Sequence, residues 1–324
     1  MNIIPMKTRE LPVTEKVPGG SGDGQTRGSG SGRIPVNFVR LLSILLLCLG
    51  ANVQAAKVVT IGDSLTAEYD TIPDLPNFIN LPTDYAEVTV PGWEALSWTE
   101  VVGRMRPGNF DLGGFKSLPD LWSVPRMSGY EYNWGIPGAT SSQYRDFLQA
   151  SVLSNPFFFI ARQPLEDQLQ HTANRVVIWL GANDFREAYG TIYEGGRSDV
   201  LIANLVSNLS FIIDFVRLQN PRLQIVLVNV PDLGATPAKK AAYPNPAKRA
   251  RVTAATQAAN AEIAALATQK SVPLADAYSL TANLVNDVPL RLGPVQFVND
   301  QNSDNNPRYI FTRDGLHPNS GCGP

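Results

Sequence analysis

The chain has 324 residues, of which 44% are hydrophobic and 17% charged, and a formal net charge of -2. That length can bury one large core or two small ones, and the composition excludes a disordered or fibrous protein. The near-neutral balance supplies no basic field for nucleic acid and no acidic tail, so partners must be argued from a site.

In chain order, residues 1–35 come first and are polar and loop-like, with Gly19–Gly20–Ser21–Gly22 and a Gly/Ser run at 28–32. Arg33 and Arg40 then precede the apolar stretch Leu41–Leu49, which gives way to Val53–Gln54–Ala55–Ala56. A basic flank, a short apolar core and small residues before a cut are the parts of a secretory signal peptide; a spanning helix would need roughly 20 apolar residues. Cleavage is expected after Ala55. Residues 1–56 then form an N-terminal extension and leader, residues 57–324 the folded domain, and the mature chain is secreted or periplasmic with no membrane span. The polar residues 1–35 are unusual ahead of a leader and suggest a translation start further downstream. Cys48 would leave with the leader and Cys322 would have no partner, so no disulfide is expected.

Lys57–Ile61 is the first strand, a short β-branched run ending in Gly62–Asp63. Arg175–Leu180 and Gln224–Val230 are two more, ending in Gly181 and in Pro231–Asp232. Glu131–Trp134 and Val272–Ala275 are weaker strand candidates. Continuous apolar runs bounded by turn residues fit strands buried on both faces of a parallel sheet. Between them, Asp199–Leu218 repeats apolar residues at the spacing of one buried helix face, and the Ala-rich Ala247–Lys270 lacks Gly and Pro, which predicts a long helix. Alternating strands and helices predict an α/β fold with a doubly wound sheet, whose ligand site lies beyond the carboxyl ends of the strands. The segment 66–130 is rich in Pro, Gly and Trp and reads as a long loop in which only Trp93–Arg104 looks helical. Loops of that length are usually functional or contain small elements of their own.

Four short motifs carry possible chemistry. Gly62–Asp63–Ser64–Leu65–Thr66 follows the first strand, where a serine at a strand-to-helix turn stands exposed with its own N–H beside a substrate carbonyl; a turn with a helix cap is the plainer reading. Asp314–Gly315–Leu316–His317–Pro318 supplies an imidazole and, three residues ahead of it, a carboxylate. A serine hydroxyl needs an imidazole as base, and that imidazole needs a carboxylate on its other nitrogen. The chain has only two histidines, and His171, which lacks an Asp-x-x-His pattern, reads as structural. Asn183 in Gly181–Ala182–Asn183–Asp184 could donate to an oxyanion. Gly138 in Gly135–Ile136–Pro137–Gly138–Ala139–Thr140 could let a backbone N–H approach the same oxygen. Taken singly, each of these last two is better read as a turn or cap.

Together, in the order Ser, Gly, Asn, Asp-x-x-His, the motifs resemble the SGNH/GDSL hydrolase family over about residues 57–320. The resemblance implies Ser64 as nucleophile, His317 as base and acid, and Asp314 as its orienting carboxylate, with Gly138 and Asn183 joining the Ser64 amide in an oxyanion hole. It implies a three-layer α/β/α, flavodoxin-like fold, neither metal nor organic cofactor, and an ester substrate: a small molecule, a lipid or an acylated carbohydrate. The segment from Ser64 to Gly138 is longer than the family usually has, and is expected to wall or lid the site. Gly321–Cys322–Gly323–Pro324 is unlike the closing helix common in the family, which is therefore expected to be missing. Two other readings remain open. In one, a binding module on the same scaffold stacks Trp93, Trp98 and Trp122 on sugars. In the other, a metal-dependent phosphoesterase uses Asp63, Asn183, Asp184, Asp314 and His317, although such sites normally need more histidines.

Overall fold

The computed structural model describes residues 54–69, 96–116, 129–292, 294–301, 308–312 and 314–319, all within the compact unit Val53–Pro324. The expected leader, Trp93, Trp122, Cys48, Cys322 and the segment 321–324 lie outside the described residues.

The sheet is built around β1 (Ala56–Gly62), whose Val58, Val59 and Ile61 are buried. One edge of β1 pairs with β6 (Arg175–Trp179), from Val58 opposite Arg175 to Gly62 opposite Trp179. Its other edge is shared by β2 (Phe110–Asp111), which pairs at Ala56 and Lys57, and β5 (Asn133–Gly135), which pairs from Thr60 to Gly62. β7 (Gln224–Val228) follows β6, and β8 (Leu274–Ala275) follows β7. Every pairing is parallel. With β2 and β5 sharing one position, the strand order is the doubly wound 2-1-3-4-5 arrangement, and β1 and β6 flank its switch point. The three strong predicted strands are found within a residue or two. Of the two weaker ones, Glu131–Trp134 shifts to Asn133–Gly135, because residues 131–132 form a turn, and Val272–Ala275 shortens to Leu274–Ala275.

Helices complete a three-layer α/β/α sandwich. They are α1 (Trp98–Met105), α2 (Ser141–Gln149), α3 (Pro156–Asp167), α4 (Ala182–Tyr193), α5 (Asp199–Gln219), α6 (Pro237–Ala242), α7 (Pro246–Gln269) and α8 (Ala277–Val285). Successive rightward steps from β5 to β6, β7 and β8 by right-handed crossovers put α2 to α5 and α7 on one face, where α2, α5 and α7 pack side by side, while the short α6 packs against the later strand Val298–Gln301. α5 is long and apolar enough to cross a membrane, yet its Leu205, Leu209, Ile212, Ile213 and Val216 are completely buried against the sheet and α7. Its apolar stripe serves the core. The predicted helices Asp199–Leu218 and Ala247–Lys270 match α5 and α7 to within one residue.

The segment 66–130 is not simply a loop. Its described part holds α1, β2 and a small antiparallel pair, β3 (Phe115–Lys116) with β4 (Gly129–Tyr130). Within the described part of the helical pattern predicted at 93–104, the helix begins at Trp98, where Ser97 caps the Glu100 N–H and Glu100 caps the Ser97 N–H. Beyond α8 lie the short strands β9 (Arg291–Leu292), β10 (Val295–Gln296), β11 (Val298–Gln301) and β12 (Tyr309–Phe311). Here Leu284, Phe297, Ile310, Phe311 and Ala235 form a second, smaller apolar cluster. The histidine motif hangs from it.

Candidate active site

Ser64 lies just past the end of β1. The Asp63 carbonyl accepts both the Thr66 and the Ala67 N–H at 3.0 Å, which closes a single turn. The expected strand-to-helix junction is therefore absent: the chain turns once and moves on, since no further bonds of helical spacing follow among the described residues. Gly62 is required for this turn, because a Cβ there would stand 2.2 Å from Thr66 Oγ1 and 2.9 Å from the Trp179 carbonyl. Asp63 is fully buried. Its Oδ1 accepts the Leu65 N–H at 2.9 Å, and Oδ2 has no hydrogen-bond partner among the described residues. Burial pushes its carboxyl up to about 7, against the opposing pull of the Leu65 amide and His317.

Gly138 and Asn183 sit beyond the neighbouring strands. The Ile136 N–H donates to the Gly62 carbonyl at 2.9 Å, and a turn at Pro137–Gly138 is closed by the Ala139 N–H on the Ile136 carbonyl. Gly138 has φ of 75°, a conformation open to glycine at little cost. Asn183 occupies the first turn of α4, where the helix dipole favours negative charge. Its Nδ2 donates to the Ala139 carbonyl at 3.2 Å, which employs one of the two hydrogens of that amide. Next to it, Asp184 accepts the Ser141 N–H at 2.9 Å and the Ser141 hydroxyl at 2.6 Å, and Asn208 Nδ2 donates to the same hydroxyl at 3.0 Å. The Gly138 and Asn183 segments are thus tied together twice. Burial raises the Asp184 carboxyl although the Ser141 bonds oppose it.

The histidine loop is organised by one carboxylate. Asp314 Oδ1 accepts the Leu316 N–H at 2.8 Å, the His317 N–H at 3.0 Å and the Thr312 hydroxyl at 2.8 Å, while Oδ2 meets His317 Nδ1. Burial would push this carboxyl up, but the hydrogen bond and charge of His317 outweigh it, with help from the two amides, and hold it well below the usual carboxylate range. With Nδ1 so occupied, Nε2 is the ring nitrogen left for proton transfer, the tautomer a serine nucleophile requires. The loop is pinned by the Thr312 N–H on the His317 carbonyl, the Asn319 N–H on the Ile310 carbonyl, and the Ala238 N–H of α6 on the Gly315 carbonyl.

The two ends of the chain meet here. Ser64, Asn183 and His317 line one cavity, and the Tyr69 ring stands edge-on to the His317 ring at 5.7 Å. Asp314 sits behind the imidazole. Gly138 is not among the residues lining the cavity; it adjoins the cavity through Ala139 and Asn183. Trp98, expected as a sugar platform in one reading, is half-buried and forms part of the cavity wall. His171 is exposed and pairs with Asp167, four residues ahead of it, at 3.1 Å, and is not among the residues that line the cavity. Among the described residues, no group of three or more His, Cys, Asp or Glu is placed to hold a metal ion. The Asp184–Ser141 tie, the Tyr69 contact and the apolar walls escape a reading of the sequence, although Ser97-x-x-Glu100 and Thr140-x-x-Gln143 both fit the capping-box pattern that marks the starts of α1 and α2.

A sheet with its functional side chains at the carboxyl ends of adjacent parallel strands defines the class: an α/β enzyme of the doubly wound type. The chain belongs to the GDSL-like Lipase/Acylhydrolase family, which its sequence matches over residues 58–321. Among solved structures, it is similar to the extracellular lipase from Streptomyces rimosus, with 16% identity and a TM-score of 0.40, over 71% of this chain and 83% of that one. Phospholipase A1 from Streptomyces albidoflavus NA297 is 15% identical with a TM-score of 0.42, over 83% and 94% of the two chains. A carbohydrate esterase family 3 protein from Talaromyces cellulolyticus is 17% identical with a TM-score of 0.38, over 82% and 89%. Comparison with curated proteins found no match.

Proposed function

We propose that the protein is a serine hydrolase that cleaves carboxylic esters through an acyl-enzyme. The observation that carries this reading is the convergence of Ser64, Asn183 and His317 on one cavity, with the Asp314 carboxylate on the far nitrogen of the imidazole. In the first step Ser64 Oγ attacks the ester carbonyl while His317 Nε2 takes its proton. The oxyanion is held by the Ser64 and Gly138 amides and the Asn183 side chain. His317 then gives its proton to the departing alcohol. In the second step a water, deprotonated by His317, attacks the acyl-enzyme and releases the acid. Asp314 stays ionised throughout and stabilises the imidazolium.

Ser64→Ala should abolish turnover of p-nitrophenyl butyrate and labelling by a fluorophosphonate probe, with an unchanged circular dichroism spectrum. Undiminished turnover by that variant would overturn the reading. Residues up to Ala55 act, on the same proposal, as an export leader, supported by the Arg40-flanked apolar stretch Leu41–Leu49. Sequencing the N-terminus of the exported protein tests this, and a mature form that keeps Leu41–Leu49 would refute it.

A further inference from the structure

The cavity beside Ser64 is unusual in what lines it away from the reacting groups. Its walls come from four separate parts of the chain: Trp98 of α1, Leu233 after β7, Leu280 and Leu284 of α8, and Phe311 of β12. The threonines that also reach it direct their hydroxyl protons into the fold, Thr236 to the Leu233 carbonyl at 2.8 Å and Thr281 to the Tyr278 carbonyl at 2.9 Å. Arg186, Asp232 and Asn319 also reach the cavity, and Trp98 Nε1 has no hydrogen-bond partner among the described residues, but leucine, isoleucine, phenylalanine, proline and tryptophan carbon makes up most of the wall. A sugar ring placed there would leave most of its hydroxyls unpaired, which is costly, whereas a hydrocarbon has none to satisfy. The cavity encloses about 170 Å³, space for on the order of ten water-sized groups. An acetyl methyl would fill about one of those places.

We propose that this cavity binds the acyl chain of the substrate, an apolar chain of about six carbons or more. The inference rests on the ester-hydrolase reading above. The acyl side is chosen over the alcohol side by the order of events. The alcohol must depart to admit the hydrolytic water, while the acyl group stays bonded to Ser64 through both steps. A partly enclosed apolar wall suits the portion that remains. On this account Leu280, which ends the first turn of α8, lines the cavity and is 60% exposed, is a specificity-determining residue where the cavity meets solvent.

Two ester series separate the possibilities. In p-nitrophenyl esters, where only the acyl chain varies, kcat/KM should rise at least about tenfold from acetate to octanoate. In acetates of methanol, butanol and octanol, where only the alcohol varies, it should stay within about threefold. Leu280→Asp, whose exposed position spares the core, should lower the octanoate-to-acetate ratio at least about fivefold, with its melting temperature measured alongside. A flat or falling acyl series in a protein that still labels with fluorophosphonate at Ser64 would overturn the inference and leave the hydrolase reading standing. A rate that climbs with the alcohol instead would overturn the assignment to the acyl side. Absence of both turnover and labelling would overturn both readings.

Discussion

Ser64 and Asn183 stand just beyond β1 and β6, adjacent central strands whose inward-facing Ile61 and Ile178 are completely buried in the main core. His317 stands on a loop after β12, a three-residue strand backed by the small cluster around Leu284, Phe297 and Phe311. The side of the proposed nucleophile inherits its position from the sheet, through pairings that run along both edges of β1. The side of the proposed acid–base group inherits its position from one carboxylate and a few backbone bonds. Precision on the sheet side therefore comes with the global fold, while on the loop side it is local and can be lost without unfolding the protein.

This contrast can be broken most severely at Asp314. Asp314→Asn removes the negative charge facing His317 Nδ1 and puts an amide beside that nitrogen, and should lower kcat about 10³–10⁴-fold, measured on p-nitrophenyl butyrate, with activity lost well ahead of the melting temperature. Asn183→Ala removes one of the proposed oxyanion donors and should cost about 10²–10³ in kcat, with KM much less affected. A pair of apolar truncations then sharpens the comparison. Ile212→Ala, in the main core, should destabilise the fold by about 3 kcal/mol in urea unfolding, while activity per folded molecule at low temperature holds. Phe311→Ala should do the reverse, losing activity ahead of global stability. Equal losses on both measures for both variants would erase the distinction between the two regions.

The smallest expected effect is a pH slope. Burial holds the Asp63 carboxyl up at about 7 in the fold, against the ordinary 3.8 of an exposed aspartate, so between those values the folded chain keeps a proton the unfolded chain has shed. The resulting stabilisation is complete below the unfolded value and disappears as pH rises through the folded one. Unfolding free energy should therefore fall by about 2 kcal/mol between pH 5 and pH 8, and Asp63→Asn should flatten that part of the curve. A native curve no steeper than that of the variant would contradict the assignment.

The unequal footing also accounts for what could be read in the sequence. β1, β6 and β7 are continuous apolar runs because both faces of a central parallel strand are covered, and α5 and α7 carry long periodic stretches. α2 (Ser-Ser-Gln-Tyr-Arg-Asp-Phe-Leu-Gln) buries only Tyr144, Phe147 and Leu148 among its apolar residues, too short a stripe to stand out. α3 hides behind an internal Pro164, and α4 begins inside a motif that reads equally well as a turn. In the site, Ser64, Gly138, Asn183, Asp314 and His317 are visible as local motifs. Their neighbours are not. Asp184 and Ser141 meet across 43 residues, and Trp98, Leu233, Leu280 and Phe311 share a cavity only once the chain has folded. No periodicity links them.

Glu100 has a consequence beyond its own helix. Its carboxylate is completely buried and caps the Ser97 N–H at 2.9 Å while also holding the Tyr69 N–H at 2.8 Å, and Tyr69 in turn abuts the imidazole. The first turn of α1 thus grips the stretch of chain that leaves Ser64, the proposed nucleophile. Loosening that turn would be transmitted to proton transfer at a group more than two hundred residues away in the chain, so that a change ordinarily regarded as helix stability would be registered as chemistry.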